Sequence, residues 1–197
     1  MNLFLLHEDP KICAQYHADM HVNKMIVETA QMLSTNHRIL DGYPVIEQRV
    51  NEKTGRKYKV KTYKLDNELD SILYKSCHIN HPCTVWLRES IHNYNWGYDL
   101  MCELGIEVRI RYGTRHKTIS KLREVLKNPP NNIPNIPKTP FKPAITDKDC
   151  MYHEGKLLKP VEMYRKFYMV SKTAKKKWDG WKHTPTPDWF QRGEFLL

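Results

Sequence analysis

Ala18-Asp19-Met20-His21-Val22-Asn23-Lys24-Met25-Ile26-Val27-Glu28-Thr29-Ala30-Gln31-Met32-Leu33-Ser34-Thr35 is the stretch from which the fold is read. Met20, Met25, Ile26, Ala30 and Leu33 give a helix one apolar side that can be buried. His17, His21, Lys24, Glu28 and Gln31 follow one another at intervals of 4, 3, 4 and 3. At helical geometry they stay within an arc of about 80° over roughly 21 Å, and Thr35 extends the line. Upstream, Asp9 is a candidate N-cap and Pro10 suits a first helical position. A helix is therefore expected over residues 10–40, with a break near Ala18-Asp19. Asp41-Gly42-Tyr43-Pro44 stops it.

Outward from this helix, residues 2–6 predict a short buried strand or extended entry. Residues 44–65 predict a basic hairpin inserted between helices, turning at Asn51-Glu52-Lys53-Thr54-Gly55. A short helix is expected at 67–74, a polar loop at 76–82, a second long helix at 83–106 and a third at 116–126. Residues 127–143 hold six of the twelve prolines and predict an extended connection across the surface. A last helix is expected at 161–177, followed by an aromatic tail at 178–197. The predicted class is mainly α: a compact single-domain helical bundle, residues 1–197, with a small inserted β-hairpin.

The composition agrees with one folded core. The chain has 197 residues, 40% of them hydrophobic, with five Trp, eleven Tyr and five Phe. No apolar run approaches the roughly 20 residues a spanning helix needs, so no membrane partner is expected. Five cysteines, an odd number with no CxxC pair, fit reduced thiols, and a cytoplasmic location is expected. The apolar start at residues 1–6 is too short for a secretion signal. The net charge is +10, and it is segregated: residues 45–64 carry +5, 109–127 carry +6 and 156–183 carry +7. Such segregation favours a polyanionic partner, DNA in duplex form before RNA.

The polar stripe suits a functional cleft. A carboxylate at Glu28 could orient water or stabilise a cationic transition state. Lys24 could attack a carbon, or simply pair with Glu28, and His21 and His17 could move protons. Glu28, His21, Lys24 and His17 are the candidate catalytic residues. His17 and His21 also have the spacing of two metal ligands, with His78 or His81 as a third. No HExxH signature is present, and neither a metal nor an organic cofactor is assigned. On the second helix Trp86, Ser90, Asn93 and Gly97 form a line that could close the cleft or belong to the core. Candidate nucleic-acid contacts are Gln31, Trp86, Arg88, Asn93, Arg109, Arg111, Lys117, Arg165, Lys176 and Trp178, where bases and aromatics interleave.

Ala18-Asp19-Met20-His21, with Glu28 seven residues on, resembles the active helix of the phage pyrimidine-dimer DNA glycosylases of the endonuclease V type. The short apolar start and the aromatic, lysine-rich end are similar as well. The resemblance covers about the first 35 residues and, loosely, the tail. It implies a small helical enzyme that flips a nucleotide, cleaves its glycosidic bond and breaks the strand by β-elimination, with His21 and Glu28 in the family's histidine and glutamate positions. The family's nucleophile is the amine of an N-terminal threonine; this chain has Asn2. The chain is also similar to phage proteins sharing a His-x-x-Lys-Met-x-x-Glu-Thr-Ala-Gln helix and an Asn-His-Pro loop, which implies a phage source and the cytoplasm of a bacterial host. Three functions follow as expectations: a DNA glycosylase-like hydrolase or lyase acting on a damaged or modified base, another enzyme modifying phage DNA bases or nucleotides, or a non-catalytic nucleic-acid-binding protein.

Overall fold

The computed structural model describes residues 1–173, 178–192 and 195, so Lys176 lies outside the described residues. Seven α-helices and a two-stranded hairpin make up most of what is described. α1 spans Pro10–Gln15 and α2 Asp19–Leu40, so the long first helix breaks where Ala18-Asp19 predicts. Asp9 caps α1, its carboxylate accepting the N–H groups of Lys11 and Ile12 at 2.8 and 3.0 Å. Residues 2–6 run extended, with Leu3, Phe4, Leu5 and Leu6 buried.

β1 (Tyr43–Val50) and β2 (Lys57–Lys64) pair antiparallel in register from Tyr43↔Lys64 to Val50↔Lys57. Asn51 holds the turn by accepting the N–H groups of Lys53 and Thr54, and Gly55 supplies a φ of +67°. The expected helix at 67–74 shortens to α3, Leu69–Ile72. The expected helix at 83–106 is two: α4, Pro82–Glu89, and α5, Ile91–Tyr112. Ser90 separates them in an extended conformation, and its hydroxyl accepts the His92 N–H at 3.1 Å. Gly97 permits the resulting corner, because a Cβ there would meet a Leu87 methyl at 2.4 Å. α6, Lys117–Leu126, lies against α2 and α5. The proline-rich connection leads to a small second hairpin, Tyr152–His153 with Lys156–Leu157, which sequence patterning missed. α7, Pro160–Lys166, continues into a wider π-helical turn over Phe167–Lys172.

The buried apolar residues form one contiguous cluster from Leu3 through α2, α4, α5 and α6 to Tyr168. Two buried arginines fix the helices around it. Arg38 donates to the carbonyls of Tyr63, Asp70, Leu73 and Tyr74 and to the Asp70 carboxylate, tying α2 to the hairpin and α3. Arg111 donates to the carbonyls of Gln15 and His17 at 2.9 and 2.7 Å and pairs with Asp19 and Glu107. Arg111 was expected to meet nucleic acid; instead it is buried at the α1–α2 break. Its partners' carboxylates are buried too, so removing the guanidinium strands two charges inside. Arg111→Met is expected to lower unfolding free energy by about 3–5 kcal/mol. Urea titration checks this, and a loss below about 1 kcal/mol would show the cluster to be dispensable.

Candidate functional site

The stripe begins before α2, at His17 in the break, and its first part is covered while the rest, on α2, is reached by other groups. His17 is fully buried, its Nδ1 2.7 Å from the Cys13 carbonyl, and burial lowers its pKa to about 4. His21 is buried beside Phe4, with Nδ1 2.7 Å from the Tyr168 hydroxyl. The N-terminal segment, the Phe167–Lys172 turn and the aromatic tail supply this cover. The tail was expected to present Trp178 to nucleic acid. Trp178 packs instead against His21, Tyr168, Trp181 and Phe190, with ring centroids 5.6–6.2 Å apart. The tail also closes on the start of α2, where Asp19 donates its N–H to the Gly180 carbonyl and accepts the Lys182 N–H at 2.7 Å.

Beyond this cover, Glu28 becomes the centre of a cluster. Its side chain keeps 12% exposure, and Lys24 Nζ lies 3.4 Å from one carboxylate oxygen. The other oxygen accepts the Asn2 backbone N–H at 2.6 Å and lies 3.5 Å from the Met1 nitrogen. Lys24 and Glu28 thus stand together as the i,i+4 spacing implies. Asn2 is held by its own side chain, which donates to the Ala144 carbonyl at 2.9 Å and accepts the Tyr164 hydroxyl at 2.8 Å. Charge-assisted hydrogen bonds of this kind fix a carboxylate's orientation.

His81, the N-cap of α4, joins this cluster to solvent. It feels the charges of Glu28, His78 and the Met1 nitrogen, and burial lowers its pKa from the ordinary 6.5. It also lines an open groove of about 460 Å³, formed by Val60, Lys61 and residues 76–81. Thr35 secures that loop from α2: its hydroxyl accepts the Cys77 N–H at 3.1 Å. Arg88 secures it from α4, donating to the Ile79 carbonyl at 2.7 Å. His78 sits at its exposed tip with φ of +47°, a left-handed backbone rare for histidine.

The second predicted line does not reach this cluster as a cleft wall. Trp86 and Asn93 are buried, and both are spent on one another and on Thr139. The Trp86 indole donates to the Thr139 carbonyl at 3.0 Å, and the Asn93 amide donates to the Trp86 carbonyl at 2.7 Å. Arg165 is half-buried, donating to the Leu6 carbonyl at 3.0 Å beneath the Tyr16 and Trp189 rings. Gln31 is partly exposed on α2, and Arg109 and Lys117 are exposed where α5 and α6 meet. Asn2 carried no helical periodicity and was missed as a site residue, and His81 was weighed only as a third metal ligand beside His17 and His21. Among the described residues no three His, Cys, Asp or Glu side chains gather into a metal-holding group, and no helix is long and apolar enough to cross a membrane.

No protein-family model, curated protein or solved structure matches the chain.

The site makes a titration prediction. His81 is expected to deprotonate below pH 6.5, because burial disfavours its charged form. The Glu28 charge opposes that shift, so Glu28→Gln should move the midpoint lower still. Imidazole resonances followed by NMR across pH 4–8 read both. A midpoint that rises in Glu28→Gln would break the link between the two groups.

Proposed function

We propose that this chain is a compact helical DNA glycosylase-like enzyme that cleaves the N-glycosidic bond of a damaged or modified base, with Glu28 as the catalytic carboxylate. The observation that carries the reading is the setting of Glu28. Its carboxylate is partly exposed, oriented by the Asn2 N–H, and flanked by Lys24 Nζ and the Met1 nitrogen at 3.4 and 3.5 Å. An ordinary solvated helix face gives a glutamate no such enclosure.

The chemistry follows from charge. As the glycosidic bond lengthens, its electron pair leaves with the base and positive charge builds on the sugar. A fixed carboxylate beside C1′ stabilises that charge. In the hydrolytic route water adds to C1′, Glu28 accepts the water's proton, and the departing base takes up a proton from solvent. In the amine route a nitrogen replaces the water and the product is an imine. Lys24 Nζ and the Met1 nitrogen are the two amine nitrogens beside the carboxylate. Both are engaged with Glu28, at 3.4 and 3.5 Å, which favours the hydrolytic route. The buried His17 and His21 take structural roles in this mechanism.

The basic surface supports DNA as the partner. The hairpin strands carry exposed Lys57, Lys59, Lys61 and Lys64, and Lys61 lines the groove next to His81. Bases there would neutralise phosphates beside the reacting sugar.

The test uses duplexes carrying a panel of damaged and modified bases, with abasic sites as the readout. Wild type is expected to release at least one of these bases. Glu28→Gln should bind the same duplex within about twofold and lose excision by about 100-fold or more. Borohydride reports the route: a trapped protein–DNA adduct means amine attack, and none during active excision means water. Full activity in Glu28→Gln would overturn the assignment.

A further inference from the structure

A second feature lies on the outer side of α5. Cys102, Gly105, Ile106 and Arg109 there, the turn Gly113-Thr114-Arg115, and Ile119 and Arg123 of α6 enclose an open cleft of about 560 Å³. None of the groups around Glu28 lines it. Three features make it a binding site of defined chemistry.

The first is charge. Arg109, Arg115 and Arg123 all face the cleft, all three are exposed, and no acid lines it. None of the three forms an ion pair with a carboxylate among the described residues, though Tyr98 and Glu124 lie near enough to act on the charge of Arg123. Arg111, by contrast, two residues on and on another side of α5, is fully committed to Asp19 and Glu107. Three exposed guanidiniums lining one cleft that no carboxylate lines make a site that a polyanion would stabilise.

The second is the wall. α6 begins at the cleft with no acidic residue in its first turn, and its N-cap is His116, whose Nδ1 accepts the Thr118 N–H at 3.2 Å. Burial lowers the His116 pKa, favouring the neutral ring. The positive end of the α6 dipole is thus left without a fixed negative charge. α5 ends at Gly113 in the left-handed conformation, φ +67°, which turns the chain sharply and brings Arg115 to the cleft that Arg109 also lines.

The third is the floor. A Cβ at Gly105 would meet Ile119 at 2.7 Å, so α5 and α6 come close here and form a narrow, partly apolar base with Ile106. A guanidinium rim over such a base suits phosphate esters, where forked donors reach two oxygens of one phosphate.

We propose that this arginine cleft binds phosphate esters and, in a nucleic-acid complex, seats backbone phosphates away from Glu28. The proposal deepens the DNA reading by giving the strand a second anchoring point. A long anchor leaves the register of DNA over the catalytic carboxylate to backbone contacts, which position without reading sequence.

The experiment measures binding of a labelled 20-base-pair duplex and, separately, of a nucleoside triphosphate, across a salt series. The proteins are wild type, Arg115→Gln, the double variant Arg109→Gln/Arg115→Gln, and Glu28→Gln. Thermal melts verify folding, which these exposed substitutions should preserve. The double variant is expected to lose at least tenfold in affinity for the ligand that wild type binds. For duplex, its log–log salt slope should fall by about 0.9 for each phosphate contact removed. Glu28→Gln should retain wild-type affinity and slope. Duplex binding lost in the double variant assigns the cleft to nucleic acid; triphosphate binding lost while duplex binding stays unchanged assigns it to free nucleotides. Wild-type affinity and slope in the double variant for both ligands would overturn the proposal, as would failure of wild type to bind either. Excision failing in wild type while cleft variants lose binding would remove the Glu28 assignment and leave the cleft standing. Normal binding by the cleft variants with excision intact would do the reverse.

Discussion

The guanidinium of Arg111 determines where α2 points. It is a buried cation, and a buried cation persists only where its donors are matched by acceptors. Those acceptors come from α1, the α1–α2 break, the first residue of α2, and α5 itself. The break between α1 and α2 is therefore a docking point. Asp19 serves both sides of it, accepting from Arg111 inside and from the backbone of Lys182 and His183 in the tail. With the first turn of α2 pinned, the helix runs past the N-terminal segment, and Glu28 arrives beside Met1 and Asn2. Arg38 fixes the other end in the same manner, against the hairpin and α3. Between these two anchors the polar stripe is a rigid platform.

Electrostatics then divide the molecule's work. Glu28 carries negative charge in a chain of net charge +10, and its immediate neighbours are nitrogens. The exposed bases on the hairpin and at the α5–α6 junction lie outside that cluster. This arrangement suits a polyanion held by its backbone while one sugar is brought to one carboxylate. Burial lowers the His81 pKa and favours its neutral ring, so it adds no fixed positive charge beside Glu28.

Much of the fold was legible because its signals are local. Asp9-Pro10, the Asp41-Gly42 stop and the Asn51–Gly55 turn each state their own geometry through a cap or a backbone preference. Ser90 was not legible as a break, because the apolar pattern runs through it and the corner depends on Gly97 meeting Leu87. The candidate site was half legible. Helical periodicity placed His17, His21, Lys24 and Glu28 on one face; His21, Lys24 and Glu28 do share a face of α2, whereas His17 falls in the break before it. Periodicity cannot say what covers a face: residues 2–6, Tyr168 and the tail bury the two histidines and leave Glu28 and Lys24 reachable. Asn2 and His81 come from segments without periodicity, and only the tertiary fold brings them to Glu28. The interleaved aromatics and bases of the tail misled for a related reason. Trp178 and Arg165 turn inward, because rings over the start of α2 bury more apolar area than rings in water.

We propose that DNA chemistry takes place at Glu28. The most direct measurement is NMR titration of the isotopically labelled protein with a duplex containing a tetrahydrofuran abasic-site analogue, compared with the same duplex unmodified. The account predicts that the modified duplex alone perturbs the resonances of Asn2, Lys24, Glu28 and His81, while both duplexes perturb the basic surface equally. Identical perturbations from the two duplexes, with the Glu28 cluster unmoved, would contradict it.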